Sequence, residues 1–220
     1  MAAPVRGSTG EAGRAFIDLH CHTSASFDSL ATLGAVLRAA ASRGLTHLAV
    51  TDHDRIDAAL RAQDAAPPEL TVIVGEEVRT ADGDLIAIFL RELVPPGLSA
   101  VETIAAVREQ GGLVDWIESY NARVIGGSAN ERAALFALDH GLPGLAASDS
   151  HTVLEVGVSY NAVEGDPSTP EGLLAAIQAV EMYPGRATFY VRAWTPLAKM
   201  IQSLRGNGRR RAYKTEGERR

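Results

Sequence analysis

The sequence predicts an α/β barrel-like architecture whose strands end at one shared mouth. Three observations lead there. Four short apolar runs each end in His, Asp or Glu: Phe16–Leu19 leads into His20-Cys21-His22-Thr23, Thr46–Val50 into Thr51-Asp52-His53-Asp54, Leu70–Val74 into Gly75-Glu76-Glu77, and Pro143–Ala147 into Ser148-Asp149-Ser150-His151. Segments with helical apolar spacing alternate with these runs, as in parallel sheets. In the His-x-His of the first run, side chains two residues apart share a strand face, so His20 and His22 project together. Polar groups at the carboxyl ends of parallel strands converge on one mouth.

Taken in order, Phe16–His20 is the first expected strand, and Thr23–Ser29 a polar loop containing Asp28. Leu30–Arg43 carries Leu33, Val36, Leu37 and Ala40 at helical spacing and stops at Gly44. Thr46–Val50 is a strand, Arg55–Ala66 a helix ended by Pro67-Pro68, and Leu70–Val74 a strand. Val78–Thr80 and Leu85–Leu90 flank Asp82-Gly83 and read as a hairpin. Ser99 and Glu102 form a capping box for a helix that runs to Gln110. Leu113-Val114 reads as the start of a strand and 115–121 as the end of one, with no helix between. Asn130–His140 is a helix and Gly144–Ala147 a strand. Thr169 and Pro170 open a helix through Ala179. Arg186–Val191 is expected as a strand and Pro196–Leu204 as the last helix.

Composition places these elements in one domain. The chain has 220 residues, 46% apolar and 22% charged, which fits a globular protein with a sizeable core. Residues 1–14 are small and polar and are expected to be disordered. Residues 15–204 form the domain, and 205–220 a basic, disordered tail. The tail carries +5, so the remainder of a chain of net charge −6 carries −11. An acidic body suits divalent cations, and a basic tail offers a surface to nucleic acid. No apolar run approaches the ~18 residues that cross a bilayer. Met1–Gly13 has no apolar core of a signal peptide, so a cytoplasmic location without a membrane partner is expected. The single Cys21 excludes an intramolecular disulfide and reads as core packing.

Imidazole and carboxylate together suit Zn²⁺, Mn²⁺ or Fe²⁺. His20 and His22 with a distant Glu and Asp make one ligand set, and Asp28, His53 and His151 another. Two such ions clamp a phosphoryl group and activate a water, so no protein nucleophile is needed. A Gly-rich P-loop, a G-x-S-x-G and a Cys-x-x-Cys are all absent. His47, inside a strand, and His140, at a helix end, read as structural. Asp54 and Glu77 read as supporting or capping neighbours of the ligands.

The four motifs together, in this order, resemble those of the PHP family (the polymerase and histidinol phosphatase domain), over Phe16 to about Trp194. The chain is most similar to stand-alone bacterial members with a PHP-associated C-terminal segment, through Gly157-Val-Ser-Tyr160. The resemblance implies a distorted (β/α)7 barrel and up to three divalent metals at the strand ends. It makes His20, His22, Glu76 and Asp149 ligands of one ion, with Glu76 bridging, and Asp28, His53 and His151 ligands of another. The sequence departs from the family at the strand after Gly111-Gly112: the His-Pro motif and one strand–helix unit are missing, and Asn121 stands near where some members carry a second His. The expected function is a metal-dependent phosphoesterase that hydrolyses a small phosphomonoester or nucleotide through a metal-activated water, using two or three Zn, Mn or Fe ions. Arg123 and Arg55 are the expected phosphate contacts. A catalytically impaired metal-binding or regulatory module is the alternative, and a nucleic-acid-processing factor using Arg209-Arg210-Arg211 a third reading.

Overall fold

The computed structural model describes residues 13–208. The expectations for 1–12 and for most of the basic tail lie outside the described residues. Strands β1 (Arg14–Asp18), β2 (His47–Val50), β3 (Thr71–Arg79), β4 (Asp84–Ile88), β7 (Tyr160–Glu164) and β8 (Glu181–Tyr183) form one sheet in the order β4-β3-β2-β1-β7-β8. A separate pair joins β5 (Ile117–Asn121) to β6 (Gly144–Ala147). The helices are α1 (Leu33–Arg43), α2 (Asp57–Ala65), α3 (Ala100–Glu109), α4 (Gly127–Asp139), α5 (Pro170–Ala176) and α6 (Phe189–Leu204). Pairs β1–β2, β2–β3 and β5–β6 are parallel, whereas β4, β7 and β8 pair antiparallel with their neighbours. The result is a curled, mixed half-barrel, consistent with the distorted barrel expected.

Both faces of the central strands are buried, and they serve different cores. Val72, Val74 and Val78 of β3 pack with Val36, Leu37 and Ala40 of α1 and Ala59 and Ala62 of α2. Ile73 of the same strand packs inward with Ile17, Ala49, Ile88 and Leu145. Residues 72, 74, 76 and 78 therefore face the helices, and 73, 75 and 77 face the interior. The apolar residues of α1 fall on one helical stripe, and Gly44 closes the helix at φ 84°. Ser99 and Glu102 form the capping box of α3.

Two seams join the sheets. At β6–β7, Asn161 replaces a strand ladder with its side chain: its Oδ1 accepts from Ala146 N at 2.8 Å and its Nδ2 donates to Ala146 O at 2.7 Å. At β4–β5, Leu113 makes an isolated bridge to Ile88, and a cavity of about 570 Å³ opens between the strands. That cavity lies where the missing strand–helix unit was expected.

Two segments differ from expectation. The run 186–191 is not a strand; it leads into and begins α6, and the pairing strand is the earlier β8. Val191, Ala198 and Gln202 are buried at intervals of seven and four residues, which is a helix stripe rather than an alternation. Pro196, expected to open the last helix, lies inside α6. In addition, Val78–Arg79 continue β3 rather than starting a new strand, because β4 pairs along its full second half.

Candidate metal centre

The mouth of the half-barrel is built from the ends of β1, β2, β3 and β6. His20 and His22 follow β1, and their Nε2 atoms approach to 2.9 Å. Asp149 Oδ1 lies 3.5 Å from His20 Nε2 and 3.4 Å from His22 Nε2. His53 Nε2 and His151 Nε2 each lie 3.3 Å from Asp28 Oδ2. Six of the seven expected metal residues are thus in one buried cluster.

The seventh is not. Glu76 is fully buried on the helix-facing side of β3, where its Oε2 accepts from Val94 N at 3.0 Å. Its neighbour Glu77 faces inward. Glu77 Oε2 lies 3.2 Å from His20 Nε2, 3.1 Å from His22 Nε2 and 3.1 Å from His53 Nδ1. The alternation of β3 decides the matter: Glu77 shares its face with Ile73 and Gly75, and Glu76 with Val74. Gly75 is needed there, since a Cβ would meet Thr51 Cγ2 at 2.8 Å and Ala87 O at 2.9 Å.

The imidazoles are oriented by their second nitrogens. His22 Nδ1 lies 3.0 Å from Ser26 Oγ, His151 Nδ1 2.9 Å from the carbonyl of Asp149, and His20 Nδ1 2.7 Å from Glu118 Oε2. Each ring then turns Nε2 toward the cluster, the arrangement in which histidine ligates an ion. Asp149 adopts a left-handed backbone (φ 48°), which an aspartate tolerates at a tight turn. That turn lets both Asp149 and His151 face inward.

Sequence reasoning missed Glu118 and underrated Asn121. Asn121 Nδ2 donates to Glu118 Oε1 at 2.6 Å and to Asp149 Oδ2 at 3.1 Å. Residues three apart on a strand normally face opposite ways. A bulge between Glu118 and Tyr120 shifts the register and brings both into the site. Asp18 was also missed; it accepts from Ser148 N at 3.2 Å and Gly157 N at 3.1 Å, tying β1 to the loops after β6. Asp52 does the same for the Asp28 loop, accepting from the backbone and hydroxyl of both Thr23 and Ser26.

The expected phosphate contacts are committed elsewhere. Arg123 gives Nη1 to Glu155 at 2.7 Å and Nη2 to Thr195 Oγ1 at 2.6 Å. Arg55 pairs both Nε and Nη2 with the carboxylate of Asp57. Arg123 thus pairs with a buried carboxylate, and Arg55 with a half-exposed one two residues along the chain. His47 bonds Thr46 and Ser168 through its two nitrogens, and His140 bonds the Phe136 carbonyl at the end of α4. Cys21 is buried in the core, where Ser150 Oγ lies 2.9 Å from its sulfur.

The electrostatics suit cations. Burial opposes charging of His22, yet its bonds to Asp149 and Glu77 raise its pKa to about 10. Burial likewise opposes charging of Asp28, and His151 and His53 nevertheless hold its carboxyl far below the usual range. Asp28 Oδ1 is buried with no hydrogen-bond partner among the described residues. Imidazoles with oriented Nε2 atoms, several carboxylates and an orphaned carboxylate oxygen together fit divalent metal ions. Two groups meet the spacing for an ion: His20, His22 and Asp149, and His22, Asp28, His53 and His151.

Comparisons with known proteins agree with this geometry. The PHP domain matches residues 18–139, more than half of the chain, and the PHP-associated segment matches 116–181. The chain belongs to the PHP family. An uncharacterised protein of Methanocaldococcus jannaschii is 35% identical over 107 residues, 44% of this chain and 63% of that protein. A crystal structure from Bacteroides vulgatus, described as a two-domain protein containing a predicted PHP-like metal-dependent phosphoesterase, superimposes with a TM-score of 0.62 at 17% identity. It covers 78% of this chain and 65% of the other. PsfC of Pseudomonas syringae superimposes with a TM-score of 0.60 at 16% identity, over 87% of this chain and 99% of PsfC. The chain thus spans somewhat under two thirds of the first two of these relatives. At such identities the two structures speak for a shared fold. Among the described residues no helix is long and apolar enough to cross a membrane.

Proposed function

We propose that this PHP member is a metal-dependent phosphoric ester hydrolase acting on a small phosphomonoester or nucleotide. The observation that carries the reading is the convergence of His20, His22, His53 and His151, the first, second and fourth with Nε2 oriented by a partner on Nδ1, on Glu77, Asp149 and Asp28. His20, His22, Glu77 and Asp149 would hold one ion, and Asp28, His53 and His151 another; Zn, Mn and Fe all suit this donor set. Bound there, divalent ions supply Lewis acidity to a phosphoryl oxygen and lower the pKa of a water. The chain's own contribution is orientation: Ser26, Glu118 and the Asp149 carbonyl fix three imidazoles, and Asn121 fixes Asp149. His20, Glu77 and Asp149 line the 570 Å³ cavity between β4 and β5, which gives a small ester access to the cluster. The test is hydrolysis of p-nitrophenyl phosphate by protein loaded with Mn²⁺, with His20→Ala and Asp149→Asn as controls. Activity in wild type alone supports the reading.

A second reading rests on the gap at β4–β5 and on the engagement of Arg55 and Arg123. In that reading the protein is a metal-binding or regulatory module. Wild-type protein that holds metal but is inert toward mono- and diesters selects it.

A further inference from the structure

Helix α6 and the residues just after it lie beyond both matched stretches, which end at 139 and 181. They nevertheless reach the ligand loops. Gln202 is 2% exposed. Its Nε2 lies 2.8 Å from the carbonyl of Ser24, 3.1 Å from that of Ser26 and 2.7 Å from that of Ser29. These carbonyls bracket Asp28. Asn207, past the helix end, donates to Ala25 O at 3.0 Å. Ser26, held in this way, itself faces His22 Nδ1 and accepts from His53 N at 3.1 Å.

The same helix reaches His151 by a relay. Thr195 Oγ1 accepts from Arg123 Nη2, Arg123 Nη1 donates to Glu155 Oε1, and Glu155 Oε2 accepts from His151 N at 3.2 Å and from Thr152 Oγ1 at 3.0 Å. Glu155 is 1% exposed. One helix therefore anchors both sides of the contact between Asp28 Oδ2 and His151 Nε2. The His20–Asp149 side has a different frame, made of Asp18, Glu118 and Asn121.

We propose that α6 is a clamp for the Asp28–His53–His151 ion site, with Gln202 and Thr195 as its positioning residues. The proposal rests on the metal reading above and goes beyond it by making occupancy of one site depend on the C-terminal helix. The physical reason is that residues 23–29 have no regular secondary structure. Their buried carbonyls need donors, and the two N–H groups of the Gln202 amide, with those of Asn207, supply them. Asp52 still holds Thr23 and Ser26 without Gln202, but the carbonyl of Ser29 loses its donor and that of Ser26 its nearer one, and Asp28 between them loses the fixed position that ligation demands.

The test is Co²⁺ titration of metal-free full-length protein, read by visible absorption and by metal analysis after gel filtration. Wild type binds two ions. Gln202→Leu keeps one ion and binds the other roughly 10–100-fold more weakly, as for loss of an outer partner of a ligand. Thr195→Val shifts the same site in the same direction, and Ser203→Ala, on the exposed side of α6, binds as wild type does. A folded Gln202→Leu protein that binds both ions like wild type overturns the clamp, and so does equal weakening of both ions. If Gln202→Leu does not fold by circular dichroism, the double variant Thr195→Val/Asn207→Ala replaces it, and two undiminished ions there overturn the clamp. Wild type that binds fewer than two ions also overturns it. Two ions in wild type and one in the variant support it whether or not the protein hydrolyses an ester, so its failure and that of the hydrolase reading are separable.

Discussion

The two halves of the ligand cluster have the same chemistry and different supports. His20, His22 and Asp149 stand on strand ends whose turns are paired backbone to backbone, with Glu118, Ser26 and Asn121 orienting the side chains: His22 N donates to Ser150 O at 2.9 Å, and Cys21 and Ser150 form a bridge between the two strand-end turns. Asp28 stands on an irregular loop that side chains hold, namely Asp52 from below and Gln202 from α6. Backbone pairing is built by the fold as a whole and survives most single substitutions. Side-chain support is lost with one amide. The first group is therefore expected to be the robust half of the site, and the second the tunable half.

The largest effect breaks the robust half. His20→Ala or Asp149→Asn is expected to lower kcat for p-nitrophenyl phosphate by at least ~10³-fold, about 4 kcal/mol of transition-state stabilisation. The fold should persist, because neither side chain packs in the apolar core. Near-wild-type turnover in either variant would remove these residues from the site.

A second substitution pair separates the two glutamates. Glu77→Gln should lose metal affinity, measured by titration, and in the metal-free protein should lose the part of the His22 stabilisation that Glu77 supplies. Glu76→Leu should keep metal and lose about 1–3 kcal/mol of stability, because it leaves the buried Val94 N–H without its acceptor. The reverse pattern would restore Glu76 as the ligand.

The pH dependence sharpens the contrast between metal-free and loaded protein. His22 has a folded-state pKa of about 10, raised from 6.5 against the cost of burial by Asp149 and Glu77. Its contribution to the metal-free protein is complete below pH ~6.5 and is lost as pH rises toward 10. Thermal melts of chelated protein should therefore fall across that window. Metal requires the neutral ring, so loading releases protons and tightens with rising pH, and the loaded protein should not show the fall. Parallel melting curves for the two forms would count against His22 as a ligand.

The smallest effect belongs to the tail. Truncation after residue 208 is expected to leave the melting temperature and any hydrolysis unchanged, since Asn207 and all of α6 remain. If the tail binds nucleic acid, full-length protein shows a salt-dependent affinity that the truncation lacks. Equal binding by both forms would dismiss a nucleic-acid role for the arginines.

Most of the cluster was legible because metal chemistry leaves local marks. His20, His22, His53, Asp149 and His151 each follow an apolar run, and a polar group at a strand end needs no distant residue to identify it. Asp28 lies in a polar loop rather than at a strand end, and it entered the second ligand set through its donor chemistry, a set that the family resemblance repeats. Glu118 and Asn121 were obscured by a bulge, which reverses strand parity without any marker in the sequence. The 186–191 segment was misread because Arg-Ala-Thr-Phe-Tyr-Val is rich in strand-forming residues, whereas burial of Val191, Ala198 and Gln202 against distant loops made its latter part helical.

What the sequence determined by itself was the list of strands, their approximate ends and the residue types gathered there, since these depend on period and composition within a few residues. What only the tertiary structure decided was direction. Val72, Ile73 and Val74 are all buried, so the run carries no alternation to show which side is the interior. Glu76 and Glu77 were therefore equivalent until α1 and α2 covered one face of β3 and the half-barrel closed around the other. Arg123 looked like a phosphate contact for the same reason: its partners Glu155 and Thr195 lie 32 and 72 residues away, and a charge that distant residues neutralise cannot be distinguished in the sequence from one offered to a ligand.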